Sequence, residues 1–259
     1  MSKLVWDSTG SRFYETGISK AVFFDSTGAA VPWNGLTSVT ETNTETNETV
    51  NFIDGYRYMN KISSNSYSGT ITAFTYPSEF AEYIGYLEFG ETYQKPKYFN
   101  LSYQTTKGND VNGNDLGYKI HFVYNALAVQ TTNEFISYGS SVTPTEFSWD
   151  IDTLPINIPN LKPSSHVIID STKSNPETIT AIEEILYGNE TTDARIPDIN
   201  ELISIFDATA TFKIIDHGDG SFTAVGDDEH VRVVTATEFE LISDSVYQIS
   251  DDTFSASSR

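Results

Sequence analysis

The sequence contains no cysteine. Disulfides, thiolate nucleophiles and cysteine-based zinc sites are excluded together, a usage that fits assembly in a reducing compartment. Basic residues are scarce as well: 15 Lys and Arg stand against 36 Asp and Glu, a net charge of -21. Phosphate contacts need Lys and Arg, so tight binding of nucleic acid is disfavoured, and an excess of one sign keeps a protein soluble. No run approaches the roughly 20 apolar residues of a membrane helix. The stretch Met1-Ser2-Lys3-Leu4-Val5-Trp6 has no long apolar segment to read as a signal peptide. The expectation is a soluble protein that begins life in the cytoplasm, with no membrane partner. The four histidines, His121, His166, His217 and His230, are scattered. None has the i, i+4 or short-gap spacing of a zinc site, so they read as strand-face or surface residues. Nucleophile-elbow, Walker and dinucleotide motifs are missing. No catalytic residue, metal ligand or cofactor is therefore assigned, and the chain reads as a non-enzyme.

What the chain has is aromatic residues, with 15 Tyr, 16 Phe and 3 Trp, beside many Ser and Thr, the composition of a β protein. Two alternating stretches carry the heaviest rings. In Tyr118–Ala126, residues Tyr118, Ile120, Phe122 and Tyr124 share one face, while Lys119, His121 and Asn125 share the other. In Phe147–Ile151, residues Phe147, Trp149 and Ile151 oppose Ser148 and Asp150. Period-2 patterning of this kind marks half-buried strands, and the two stretches are expected to pair.

Along the chain, residues 1–20 read as loosely structured, followed by a short strand Ala21–Phe24. Further strands are expected at Leu36–Thr42, Val50–Tyr58, Gly69–Tyr76, Tyr98–Gln104 and Ser164–Asp170. Glu41–Thr49 holds only Thr, Asn and Glu. It buries no apolar surface and so projects as a loop or hairpin tip, either idle or as an arm that orders against another subunit. Pro77–Ile84 predicts a short helix. Helices are also expected after Ser174, with Glu177 completing a capping box, Ile179, Ile182, Ile185 and Leu186 as the buried face and Gly188 stopping it, and over Pro197–Phe206, with Ile199, Leu202, Ile203 and Phe206 as its apolar stripe.

Beyond Phe206 the texture changes to a meander of short strands with few large apolar groups. Some fifty residues of this kind make a marginal domain. The division expected is 1–206 for the main domain and 207–259 for a small β appendage, with Ser255–Arg259 as a loose tail. Residues 1–206 carry 12 basic and 25 acidic groups, and residues 207–259 carry 3 and 11, so both parts are acidic. Asp110, Asn112, Asn114 and Asp115 resemble a calcium loop, but Asp115 occupies the position that needs glycine and no Glu closes it, so a hairpin turn is the simpler reading. Asp150 and Asp152 share a strand face; sequence shows no opposing carboxylate for glycoside hydrolysis.

Several motifs in order resemble the major tail proteins, or tail tube proteins, of long-tailed actinobacterial phages. They are Val31-Pro32-Trp33-Asn34-Gly35-Leu36-Thr37-Ser38-Val39-Thr40-Glu41, Thr75-Tyr76-Pro77-Ser78-Glu79-Phe80-Ala81-Glu82, Gly117–Leu127, Phe147-Ser148-Trp149 and Ile168-Ile169-Asp170-Ser171-Thr172-Lys173. The resemblance spans roughly residues 1–206. It implies a mainly β fold, a tail-tube-type β-sandwich or barrel subunit with short helices, plus the small C-terminal β appendage on the outer surface. It implies self-assembly into stacked hexameric rings, a hollow tube in the virion tail assembled in the host cytoplasm, and passage of DNA without specific binding. The partners it implies are further copies of the chain, a tape measure protein inside the tube, and tail terminator and distal tail proteins at the ends. In that setting Glu41, Asn43, Glu45, Asn47 and Glu48 are candidates for an inter-ring contact or the lumen, and an acidic bore would repel phosphate. The alternatives are another tail component, such as a distal or adaptor ring, and a host-surface adhesin using the C-terminal domain.

Overall fold

The computed structural model describes residues 4–45, 50–53, 56–60, 65–86, 94–131, 133–135, 137, 144–158, 161–209, 212–216, 221–226, 231–235, 239–243, 246–249 and 252–255. The chain divides into two compact units, one of residues 1–172 with 184–196, the other of 173–183 with 197–259.

The first unit is built on one antiparallel sheet. Its strands are β1 (Phe13–Phe24), β2 (Ala30–Pro32), β3 (Leu36–Glu45), β6 (Asn65–Ala73), β7 (Phe99–Asn109), β8 (Gly113–Gln130), β9 (Phe147–Thr153) and β10 (His166–Asp170). A separate hairpin, β4 (Val50–Ile53) with β5 (Tyr56–Asn60), lies between β3 and β6 in the chain. The sheet order is β2-β1-β7-β8-β9-β6-β3, with β10 added to β8. The expected mainly β architecture with short helices is thus observed, as a single eight-stranded sheet.

The sheet curls around its own core. Trp33, beyond β2 at one end of the strand order, meets Trp149 on β9 with ring centroids 5.8 Å apart. A single-turn helix, α1 (Phe80–Tyr83), drops Phe80 and Tyr83 into the same space. Phe80 has its ring edge-on to Phe23, Phe99 and Trp149, the geometry that aromatic quadrupoles favour. Phe147, Trp149 and Ile151 face inward as their alternation predicts, and β9 pairs with β8.

Strand β8 departs from the half-buried expectation. Ile120, His121, Phe122, Val123 and Tyr124 are all buried, so both faces are covered. Gln104, opposite Ile120, donates from Nε2 to Tyr187 Oη at 3.0 Å, which sets Tyr187 over the second face. The strand also carries a bulge. Asn125 has φ of 49° and its amide donates to Asn100 Oδ1 at 2.8 Å. An extra residue exchanges the faces, so Val123 before it and Ala126 and Ala128 after it all join one core.

Two further expectations are corrected. Residues 13–20 are strand, because β1 pairs with β7 back to Phe13 through two irregularities; backbone pairing replaces the missing apolar pattern. Strand β3 runs on to Glu45 and pairs with β6, not with Val50–Tyr58, since the polar Thr and Asn side chains are compatible with a ladder that needs only backbone groups. The hairpin turn read at Asp110–Asp115 is observed: β7 and β8 close at Asn109 and Gly113.

The helix α2 (Pro176–Tyr187) divides between the units. Asn175 Oδ1 accepts the Glu177 amide at 3.1 Å, which caps the helix start. Ile179, Ile182 and Leu186 are buried. In the second unit, α3 (Ile199–Thr209) opens with a reciprocal cap, Asp198 Oδ1 to the Asn200 amide and the Asp198 amide to Glu201 Oε2. Ile199 and Leu202 are buried, whereas Ile203 is exposed rather than part of the buried stripe. Two antiparallel meanders follow: β11 (Phe212–Asp216), β12 (Ser221–Gly226) and β13 (Val231–Thr235), then β14 (Phe239–Ser243), β15 (Val246–Ile249) and β16 (Asp252–Ser255). Strand β16 reaches into the expected tail. His217 and His230 lie outside the described residues.

At Gly69 on β6 the backbone of β3 passes so close that a Cβ would sit 2.1 Å from the Thr40 carbonyl oxygen. Gly69→Ala forces the two strands apart. Overpacking of this kind costs about 1–3 kcal/mol, read as a lower midpoint in urea unfolding; an unchanged midpoint would contradict the β3–β6 register.

Candidate functional site: a His–Glu–Tyr layer beside an open sheet edge

Thr153, Ser165 and His121, all buried, meet where β9 gives way to β10. Both strands lie along the same edge of β8, one after the other. The Leu154 amide still donates to Asn125 O, and the Tyr124 amide to Ser165 O, so the ladder of β8 is continuous. On the far side, however, β6 loses its partner at Tyr67. Two hydroxyls fill the gap. Thr153 Oγ1 donates to Tyr67 O at 2.6 Å and accepts the Tyr67 amide at 3.0 Å, and it bonds Ser165 Oγ at 2.6 Å. Buried backbone groups need such partners.

Tyr67 thereby projects a buried ring against His166, with centroids 4.4 Å apart. A row of rings continues from it. His166 stacks on His121 at 5.4 Å, and His121 stacks on Tyr103 at 4.5 Å, nearly parallel. The register explains the row: His121 opposes Tyr103 across β7/β8 and Ile168 across β8/β10, which puts His166 two residues along.

Hydrogen bonds tie the row together. Tyr67 and Tyr103 hydroxyls are 3.2 Å apart, and Tyr103 donates to Glu41 Oε1. His121 Nδ1 lies 3.1 Å from Glu41 Oε1 and 3.3 Å from His166 Nε2. His121 Nε2 lies 3.1 Å from Thr105 Oγ1. Donor atoms of Glu41, His121 and His166 all fall within 4.8 Å of one another, a set that could hold a metal ion.

The layer contains an ionised carboxylate. The hydrogen bond from His121, aided by that from Tyr103, holds the Glu41 carboxyl down at about 2 in spite of partial burial. Burial pushes His166 down to about 4, against the pull of Glu41. Burial raises both tyrosine hydroxyls far above their ordinary range. At neutral pH the layer therefore holds a Glu41 carboxylate and an uncharged His166.

Of the residues singled out from sequence, Glu41 is turned into this layer, its side chain 30% exposed. Asn43 and Glu45 sit on β3, their backbones opposite Tyr67 and Asn65. Asn47 and Glu48 lie outside the described residues. The two histidines were read as separate surface or strand-face groups; the fold brings them together over 45 residues. Chain spacing carried no sign of it. The sole hint was a histidine inside a run of core rings. In the Asp110 turn, Asp110 accepts the amides of Gly10 at 3.0 Å and Arg12 at 3.4 Å, and Asn114 accepts the Tyr14 hydroxyl. These oxygens pin the start of β1 and the segment before it. Asp150 accepts the Thr70 hydroxyl at 2.9 Å.

Strand β3 is the outer strand of the sheet: it ends the strand order and pairs with β6 alone among the described strands. Apolar side chains are also exposed in the segments flanking the sheet, including Leu4, Val5, Trp6 and Phe135, and at Phe13, the first residue of β1.

No protein-family model matches the chain, and no curated protein matches it. Among solved structures, one titled "Cryo-EM structure of the anti-feeding prophage (AFP) baseplate, 6-fold symmetrised" is similar over 65% of this chain and 97% of that chain, at 9% identity and a TM-score of 0.30. At that score the likeness carries no argument.

The pH dependence follows from the layer. The folded pKa of His166 is below its usual 6.5, so the unfolded chain takes up the proton first and stability falls as pH drops from 6.5 to about 4. Glu41 adds a second loss between 4.5 and about 2. In metal-free buffer, urea unfolding at stepped pH should show both limbs, and His166→Asn should flatten the first; a variant with the wild-type slope would exclude His166 as its source.

Proposed function

We propose that the chain is a structural component of a phage tail, and within that class a tail tube subunit that assembles into stacked rings around a conduit for DNA. The observation that carries the reading is the open edge of β3. Among the described strands only β6 pairs with its ten residues; β1 comes near without pairing, so the backbone groups on the side away from β6 have no strand partner there. Exposed edges of this length invite uncontrolled pairing unless something covers them. A neighbouring copy is the cover that a ring supplies. The exposed Leu4, Val5 and Trp6 and the Phe13 side chain fit the same account, since they lose water only against another surface.

The motifs that resemble tail tube proteins support this reading from the sequence side, and their residues include the core of the fold: Trp33, Phe80, Phe122 and Trp149. The charge of -21 suits a bore that lets a polyanion slide. On this reading the C-terminal meanders decorate the outer surface, and tape measure, terminator and distal tail proteins are the other partners. Asn43, Glu45, Asn47 and Glu48 then form an inter-ring arm continuing from β3.

Electron microscopy of the purified chain tests the proposal: stacked rings or hollow tubes are expected, and monomers that bind host polysaccharide would replace it with the adhesin reading. Deleting Asn43–Thr49 shortens the edge while leaving the pairs from Leu36 to Thr42. It should abolish stacking with little change in the unfolding midpoint; tubes of normal length would refute the arm. Removing 207–259 should leave tubes intact, and loss of polymerisation would put those residues in the wall.

A further inference from the structure

We propose that Glu41, His121 and His166 form a binding site for one divalent transition-metal cation of the zinc type, which clamps the outer strand β3 to the interior strands β8 and β10. The inference stands apart from the assembly reading, because it rests on side-chain geometry within a single chain.

The donor atoms are already spaced for the ion. A tetrahedral site with bonds of about 2.0–2.1 Å sets its donors about 3.3 Å apart. His121 Nδ1 is 3.1 Å from Glu41 Oε1 and 3.3 Å from His166 Nε2, and all three groups offer atoms within 4.8 Å of one another. Two imidazoles and one carboxylate are the donor set of zinc and its first-row neighbours; calcium and magnesium prefer oxygen throughout.

The groups around the donors are also those a metal centre uses. When His121 ligates through Nδ1, its Nε2–H is free to donate to Thr105 Oγ1, 3.1 Å away. Tyr103 holds the carboxylate of Glu41 by donating to Oε1. Outer partners of this kind fix the tautomer and orientation of ligands. The stacked faces of Tyr103 and His121, and of His121 and His166, restrict ring rotation. Because the Glu41 side chain is 30% exposed while His121 is nearly buried, the site is open on one side. An ion enters there, and water completes its coordination.

The consequence is mechanical. Among the described strands β3 pairs through its backbone with β6 alone, and the ion adds to the Glu41 hydrogen bonds an attachment that reaches across to β8 and β10. Loading the site therefore stabilises the outer strand more than the rest of the sheet.

The test uses the full chain, stripped of metal and confirmed folded by far-ultraviolet circular dichroism. It is titrated with zinc chloride by calorimetry in millimolar magnesium and calcium, which occupy exposed acidic patches. One zinc per chain is expected. Cobalt(II) should give the intense visible bands of a low-symmetry site. Glu41→Gln, at a partly exposed position, should weaken binding by at least tenfold. Thr105→Val touches no ligand atom and should weaken it by roughly 10–100-fold. His166→Asn should abolish the cobalt bands; if that variant does not fold, Glu41→Gln and Thr105→Val carry the decision. Hydrogen exchange should slow in β3 on zinc addition. Absence of stoichiometric binding to the folded chain, or affinity equal in wild type and all folded variants, would overturn the site.

Discussion

The middle of strand β8, Ile120 to Tyr124, is covered on both faces, and the rest of the first unit is arranged to make that possible. The strand pairs with β7 on one side and with β10 and then β9 on the other. A stretch buried on both faces has no solvent to absorb errors of register, since a slip by one residue would exchange its faces. The bulge at Asn125 performs that exchange once, deliberately, and lets Val123, Ala126 and Ala128 enter the same core. The aromatic cluster around Phe80, Phe23, Phe99 and Trp149 then fills the space that the curled sheet encloses.

The handover from β9 to β10 has a cost, and the polar layer is its solution. Where one strand stops and the next begins, the backbone of Tyr67 would be left without partners in a dry interior. Thr153 and Ser165 satisfy it. The neighbouring space is filled by rings that carry polar atoms, because each can stack and still hydrogen-bond. Such a network rigidifies a core only when its members are satisfied. Glu41 completes it from the outer strand, accepting from Tyr103 and lying beside His121. The edge strand is thus coupled to the centre of the sheet by side chains as well as through β6.

This coupling gives the assembly reading its physical content. A strand that is to accept a neighbouring copy must hold its shape before the neighbour arrives, or the ordering cost falls on assembly. Glu41 sits midway along β3, so the half of the strand before it is braced, and the Thr/Asn/Glu half after it continues the ladder with β6. A bound cation would sharpen that contrast.

The pairing of β8 with β9, the inward face of Phe147, Trp149 and Ile151, and the buried faces of α2 and α3 at Ile179, Ile182, Leu186, Ile199 and Leu202 were legible from sequence, because alternation and helical spacing report which side of an element meets the core. The strand at Phe13–Ser19 and the extension of β3 to Glu45 were not. Their residues are polar or mixed, and they are strands because a neighbour supplies hydrogen bonds, which leaves no mark on local composition. The site was still less legible. Glu41 was singled out for its place in an acidic arm, yet its carboxylate is directed inward; His121 and His166 were set aside for want of spacing. Sequence by itself determined that this is a cysteine-free, acidic, aromatic-rich β protein, since those properties belong to the residues one at a time or in short periods. Only the tertiary structure decided that two histidines and a glutamate from three strands meet, because strand order and register, not distance along the chain, set which side chains share a layer.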